Sequence, residues 1–361
     1  TYKHRFTKGY PTDVDTIVSD EGYGANPYIE VERPLVVVTG PGGGSGKLAT
    51  CLSQLYHENK RGRKVRYAKF ETFPIWNIPL KHPVNVAYEA ATADLKDVNM
   101  IDSFHLEAYG EKAVNYNRDL EVFPVVKRII EKITGEESEY KSPTDMGVNR
   151  AGFCITNDEV VREAADQEII RRYYRCLCDR KRYGQSKDDK NKLELLLRQA
   201  GVSMEDRLVA KKALAREEET GHPAMAIELA DGTIVTGKTG DLLGASAAAI
   251  LNALKVLAGI PHEVQLVSKE AIEPIQRLKI QYLGSHNPRL HTDEILIALS
   301  TTAAQDEKAK LAIEQLSKLK NCQAHSTVLL SSVDEQLLKK IGVQLTCSPK
   351  YEEEDRKYHR R

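Results

Sequence analysis

Five glycines fall within seven positions in Gly40-Pro41-Gly42-Gly43-Gly44-Ser45-Gly46-Lys47, between an apolar run and a segment of helical periodicity. Glycine loses more chain entropy on folding than any other residue, so such a run is costly unless the backbone must approach something closely. A helix N-terminus offers unpaired N–H groups and a partial positive charge, and glycines let phosphate oxygens reach them. Gly42, Gly43, Gly44, Ser45 and Gly46 are therefore candidate phosphate ligands, with Lys47 as the mobile cation. The standard phosphate loop begins with glycine five residues before its Gly-Lys pair and follows the lysine with Ser or Thr for magnesium. Here Pro41 and Leu48 hold those positions, so Thr50, a turn further on, becomes the candidate hydroxyl. An ordinary glycine-rich turn is the competing explanation.

The pattern around the loop predicts an α/β domain with a parallel sheet over residues 1–155. Asp15 to Val18 and Pro34 to Thr39 read as strands, the second apolar enough to be buried on both faces. Leu48, Cys51, Leu52, Leu55 and Tyr56 recur at helical spacing, and Lys64 to Glu71 reads as the next strand. Pro83 to Leu95 and Glu121 to Ile133 read as helices with a short strand, Ala113 to Tyr116, between them; residues 134 to 155 are loop-rich. Residues 156–222 form a charged helical subdomain, with helices over Asn157 to Lys181, Lys190 to Ala200 and Met204 to Thr220. Residues 223–361 form a second α/β subdomain. It opens with a hairpin over Met225 to Lys238 turning at Ala230-Asp231-Gly232-Thr233, then a small-residue helix from Leu242 to Leu257. The strand Ser326 to Leu330, the helix Asp334 to Ile341 and the strand Val343 to Cys347 follow.

Lys+Arg and Asp+Glu balance at 52 each, which removes the basic footprint of a general nucleic-acid binder. The six cysteines are scattered through the chain, as in a protein of a reducing compartment, and no stretch approaches a membrane span. A cytoplasmic protein with no membrane or nucleic-acid partner is expected.

A polar stretch follows the second strand. Glu71 and Asp119 are candidates for placing magnesium or acting as a general base, His105 for acid–base work, and Arg118 for a phosphate. Each is also explicable as a cap or turn residue. Asp13 and Asp15 would share one face of a strand, which suits edge-strand solvation better than a metal. Cys322 and His325, with His291 and Cys347 elsewhere, are too sparse a set to predict zinc, and His291-Thr292-Asp293-Glu294 reads as a helix start capped by Thr292.

The glycine loop, Cys51-Leu52-Ser53-Gln54-Leu55-Tyr56-His57, Lys69-Phe70-Glu71-Thr72-Phe73-Pro74-Ile75-Trp76-Asn77, Ala87-Tyr88-Glu89-Ala90-Ala91-Thr92-Ala93-Asp94-Leu95, Asn115-Tyr116-Asn117-Arg118-Asp119, Pro288 to Glu294 and Ala324 to Val328 carry a resemblance. They resemble a bacterial family catalogued as domain of unknown function eighteen forty-six, over essentially the whole chain. The resemblance implies a further N-terminal segment and a C-terminal subdomain similar in layering to deaminase-like folds. It supplies no reaction, and the zinc deaminase signatures are missing from this sequence. The leading expectation is therefore binding of ATP or another nucleotide with magnesium, or of another small phosphorylated ligand, coupled to phosphoryl transfer onto an acceptor held between the two α/β domains. The alternative is a non-catalytic phosphometabolite-binding or homo-oligomeric assembly protein.

Overall fold

The computed structural model describes residues 1–41, 44–69, 74–147, 149–184 and 187–352. The chain is a mixed α/β protein that divides into two compact units, Thr1–Ala165 and Asp166–Arg361. The division falls inside one long helix of the charged segment.

Unit 1 contains helices α1 (Val14–Ile17), α2 (Lys47–Lys60), α3 (Pro83–Ala91), α4 (Ser103–Tyr109) and α5 (Asn117–Thr134). Its described strands, β1 (Asn99–Ile101) and β2 (Val114–Tyr116), pair antiparallel with Met100 opposite Asn115. The core forms where Leu52, Leu55 and Tyr56 of α2 meet Phe123, Val126, Ile129, Ile130 and Ile133 of α5, with Ile17, Tyr23 and Met146 closing it. Both helical sets recur at three- and four-residue spacing, so each helix offers one apolar stripe.

Three strand expectations fail here. Pro34 to Thr39 has no regular structure, and Leu35 and Val37 are 78% and 74% exposed rather than buried between neighbours. Residues 64–69 likewise carry no ladder, and the rest of that expected strand lies outside the described residues. β-branched character favours a strand only where a partner supplies the hydrogen bonds and the covering surface. Asp15 to Val18 is overturned differently. The Asp13 carboxylate accepts from the Thr16 N–H at 3.1 Å and caps α1, while Asp15 pairs with Lys132. Local capping chemistry thus outweighs alternation over four residues.

In unit 2, α6 (Asp158–Tyr183) continues from unit 1 and is followed by α7 (Lys187–Ala200) and α8 (Leu208–Thr220). The hairpin forms as expected from β3 (Ala224–Glu228) and β4 (Ile234–Lys238), with Gly232 at φ +82° and the Thr233 N–H on the Asp231 carboxylate at 2.9 Å. Then come α9 (Ala245–Leu257), α10 (Lys269–Arg277), α11 (Thr292–Thr302), α12 (Glu307–Ile313), β5 (Gln323–Ser326), α13 (Ser332–Lys340) and β6 (Gln344–Cys347). The sheet order is β4-β3-β5-β6; β3 runs antiparallel to both neighbours, and β5 and β6 are parallel with Ala324 opposite Leu345. Alternate residues of β3 serve opposite faces: Met225 and Ile227 join Ala247, Ile250 and Leu254 of α9, whereas Ala226 joins Val209 and Ala213 of α8. A Cβ on Gly237 would lie 2.2 Å from the Ala249 nitrogen, so glycine in β4 sets how closely α9 can lie. β5 begins three residues before the expected strand, and His291 rather than Thr292 occupies the N-cap of α11.

A polar network in unit 2 centres on the fully buried Arg207 and His325. Arg207 donates to Thr346 Oγ1 (2.7 Å), Gln167 Oε1 (3.1 Å), Gln323 Oε1 (2.9 Å), Ala324 O (3.0 Å) and Gln344 O (2.8 Å), all neutral acceptors. His325 shares the network through Thr346 Oγ1 at 2.8 Å and Ser348 Oγ at 3.1 Å. Burial, then the Arg207 charge, pushes its pKa down to about 3. His325 and Cys322 thus serve the sheet interior.

Candidate functional site

The first candidate seat is the loop before α2. Gly46, at φ +85°, is the N-cap, no side chain caps the helix there, and Lys47 is its first residue. Ser45 folds back so far that a Cβ on Gly40 would lie 2.4 Å from its hydroxyl, and Lys47 Nζ donates to the same hydroxyl at 3.1 Å. Thr50 is half-buried in the first turn of α2. Gly42, Gly43 and Glu71 lie outside the described residues.

The second seat is a cavity of about 250 Å³ lined by Lys69, Trp76, His105, Thr144, Asp145, Gly147 and Arg150. Its frame starts at Asp102, a fully buried carboxylate. One oxygen accepts from the His105 N–H at 3.0 Å and caps α4; the other accepts from the Thr144 N–H at 3.2 Å and the Thr144 hydroxyl at 2.5 Å. The N-terminus of α4 is thereby tied to the 142–146 segment. Across that tie His105 Nδ1 lies 2.9 Å from the buried Ser142 hydroxyl, and its Nε2 makes no hydrogen bond among the described residues. The His105 ring sits edge-on to Trp76 at 6.1 Å and beside Tyr109 at 4.7 Å.

Asp145 is polarised by its own bonding. Oδ2 accepts from the Lys141 N–H (2.8 Å), the Ser142 N–H (3.1 Å) and the Tyr109 hydroxyl (3.0 Å), the last raising the tyrosine's pKa. Oδ1 has no hydrogen bond among the described residues and stands 3.8 Å from His105 Nδ1. On the opposite wall the Lys69 N–H bonds Met146 O at 2.7 Å, and a Cβ on Gly147, at φ +130°, would lie 1.9 Å from Lys69 O. Only glycine permits that approach. Lys69 Nζ pairs with Asp119 and donates to the Tyr116 hydroxyl at 3.1 Å. The exposed Arg150 guanidinium has no hydrogen-bond or ion-pair partner among the described residues.

Of the residues singled out in the sequence, the structure places His105 in this wall and Asp119 one ion pair behind it. Arg118 is committed elsewhere: it grips the fully buried Asp97 through Nε at 2.5 Å and Nη2 at 2.8 Å, which raises its pKa further. Asp145 and Arg150 escaped sequence reasoning because they lie in the aperiodic segment 134 to 155. The available signal was Ser142-Pro143-Thr144-Asp145, a cap-like run before Gly147. No group of three His, Cys, Asp or Glu side chains placed to hold a metal ion occurs among the described residues.

The fold and site define a two-unit mixed α/β protein with a polar, cation-bearing cavity in its N-terminal unit. Residues 1–201 match the family described as domain of unknown function DUF1846, N-terminal, and residues 205–357 match its C-terminal counterpart. The chain belongs to this family. It is 57% identical over 349 residues to UPF0371 protein cu0538 of Corynebacterium urealyticum, covering 97% of this chain and 70% of the relative. It is 56% identical over 366 residues to a UPF0371 protein of Clostridium tetani, covering 99% and 73%. It is 57% identical over 350 residues to UPF0371 protein DIP2346 of Corynebacterium diphtheriae, covering 97% and 70%.

Proposed function

We propose that unit 1 binds a phosphorylated ligand, a nucleotide or a phosphorylated metabolite, and in its catalytic form transfers a phosphoryl group. The observation that carries this reading is the framed cavity in which Lys69, His105 and Arg150 converge, because Arg150 is a planar donor fork with no anion to satisfy it among the described residues. The loop before α2, with Lys47 and the amides of its first turn, is the other seat suited to phosphate. In the catalytic form Asp119 positions Lys69 beside the acceptor hydroxyl, and His105 Nε2 takes that hydroxyl's proton as its oxygen bonds to phosphorus and the leaving oxygen departs with the remainder of the donor.

A second reading, a non-catalytic phosphometabolite-binding protein that assembles as a homo-oligomer, is favoured by the commitment of Asp119 to Lys69 and of Arg118 to Asp97. Two finer placements accompany both readings. The sheet of unit 2, with α8 on one face and α9 on the other, supports a layering akin to deaminase-like folds. Six free cysteines, three of them buried, support a cytoplasmic setting; no described helix is long and apolar enough to cross a membrane.

The test is thermal unfolding of the full chain with ATP, GTP, NAD and sugar phosphates, each with and without magnesium. A ligand at a hundred times its Kd adds about 2.7 kcal/mol to stability. A phosphorylated compound that shifts the transition while its dephosphorylated counterpart does not supports binding; no shift from any phosphate refutes it. Turnover of the bound compound then separates enzyme from sensor.

A further inference from the structure

The two seats in unit 1 suit different ligands, and the cavity has the more restrictive chemistry. Resting on the reading that unit 1 binds a phosphorylated ligand, we infer that this ligand is a small polyhydroxylated monophosphate of the sugar- or polyol-phosphate class, seated in the cavity with its phosphate on Arg150 and a hydroxyl on Asp145 Oδ1.

Size is the first restriction. A cavity of about 250 Å³ holds roughly eight waters' worth of liquid at ~30 Å³ each. A monophosphate on three to six carbons fills that space, and a nucleoside triphosphate exceeds it.

Polarity is the second. Lys69 is neutralised by Asp119, so among the described lining residues the cation left to meet a phosphate is Arg150, whose fork matches two phosphate oxygens. Asp145 sets the opposite requirement. Its Oδ2 is consumed by three donors while Oδ1 accepts no hydrogen bond among the described residues, and a carboxylate in the lining repels phosphate and accepts from hydroxyl. A ligand satisfying both walls carries an anionic end and a hydroxyl end. His105 Nε2 adds one group able to donate or accept, and the Trp76 indole in the lining supplies apolar surface for the C–H groups of a sugar.

Pre-organisation is the third. Asp102 binds α4 to the 142–146 segment, and Gly147 lies against Lys69 O, so His105, Asp145 and Lys69 are held in place before a ligand arrives, and Arg150 is the group that closes on the phosphate.

The experiment is calorimetric titration of the full chain with inorganic phosphate, glycerol 3-phosphate, ribose 5-phosphate, glucose 6-phosphate, glucose and magnesium-ATP, repeated on Arg150→Gln, Asp145→Asn and Lys47→Ala. The expected result is that a sugar or polyol phosphate binds more tightly than inorganic phosphate, glucose or magnesium-ATP. Arg150→Gln should weaken it at least ten-fold, and by more than Lys47→Ala does. Because Arg150 is exposed and makes no hydrogen bond or ion pair among the described residues, that variant should melt with wild type in the absence of ligand. Asp145→Asn should narrow the preference for the sugar phosphate over inorganic phosphate. Magnesium-ATP as the tightest ligand, or a loss confined to Lys47→Ala, would overturn this inference while leaving phosphate binding by unit 1 intact. Binding of none of the phosphates would overturn both.

Discussion

The buried His325 gives unit 2 a built-in sensitivity to acid. Its side chain is fully enclosed, beside the Arg207 guanidinium and within the field of Lys350, and its pKa is pushed down to about 3. With the Thr346 hydroxyl donated to Ala324 O, the network assigns the proton to Nδ1 and leaves Nε2 to accept from Ser348. The folded state therefore holds a neutral ring, while the unfolded chain takes up a proton near pH 6.5. A depressed pKa of this kind contributes stability that is complete above about 6.5 and is lost as pH falls from there toward 3. At pH 4 the gap is some 2.5 pKa units, or about 3 kcal/mol. His325→Gln keeps a polar side chain in the network and cannot titrate. The unfolding free energy of wild type minus that of the variant, measured by urea denaturation followed by amide exchange in unit 2, should shrink by about 3 kcal/mol between pH 7 and pH 4. Groups untouched by the substitution cancel in that difference. A constant difference, or an imidazole resonance of His325 titrating near pH 6, would refute the reasoning.

Three other outcomes follow from named contacts. Gly147→Ala puts a methyl against Lys69 O at a φ that alanine avoids, so unit 1 should lose about 2–4 kcal/mol by chemical denaturation together with ligand binding. Arg207→Ala removes the donor shared by Thr346, Gln167, Gln323, Ala324 O and Gln344 O and leaves a buried void, a loss of about 3–5 kcal/mol in unit 2 that Arg207→Lys should only partly restore. His291 Nδ1 lies 2.9 Å from Asp334, which raises the histidine and holds the carboxyl at about 2. A raised histidine stabilises below its unfolded pKa and loses that contribution as pH climbs, so the advantage of wild type over His291→Gln should decline above about pH 6.5 in urea titrations; a flat profile would count against the pairing.

The helices from 158 to 220 and the hairpin at 225 to 238 were readable because periodicity, caps and turn chemistry agree there. Pro34 to Thr39 misled for the opposite reason: an apolar β-branched run states what a strand needs, and its ladder partners are a tertiary fact. His105 and Asp119 stood out by type. Their roles did not, because whether a charge is free or committed depends on residues far along the chain, as Lys69 is for Asp119 and Asp97 for Arg118. Arg150 is the converse case. Nothing in a loop-rich segment marks one arginine as lacking an anion among the described residues.

Trp76 is the chain's single tryptophan, and it stands in the cavity wall edge-on to His105. Indole emission responds to a bound ligand and to displaced water, so this protein carries an intrinsic optical probe at the candidate site. That signal follows occupancy and melting of unit 1 alone. A protein whose two units unfold at different temperatures would show one transition by fluorescence and both by calorimetry.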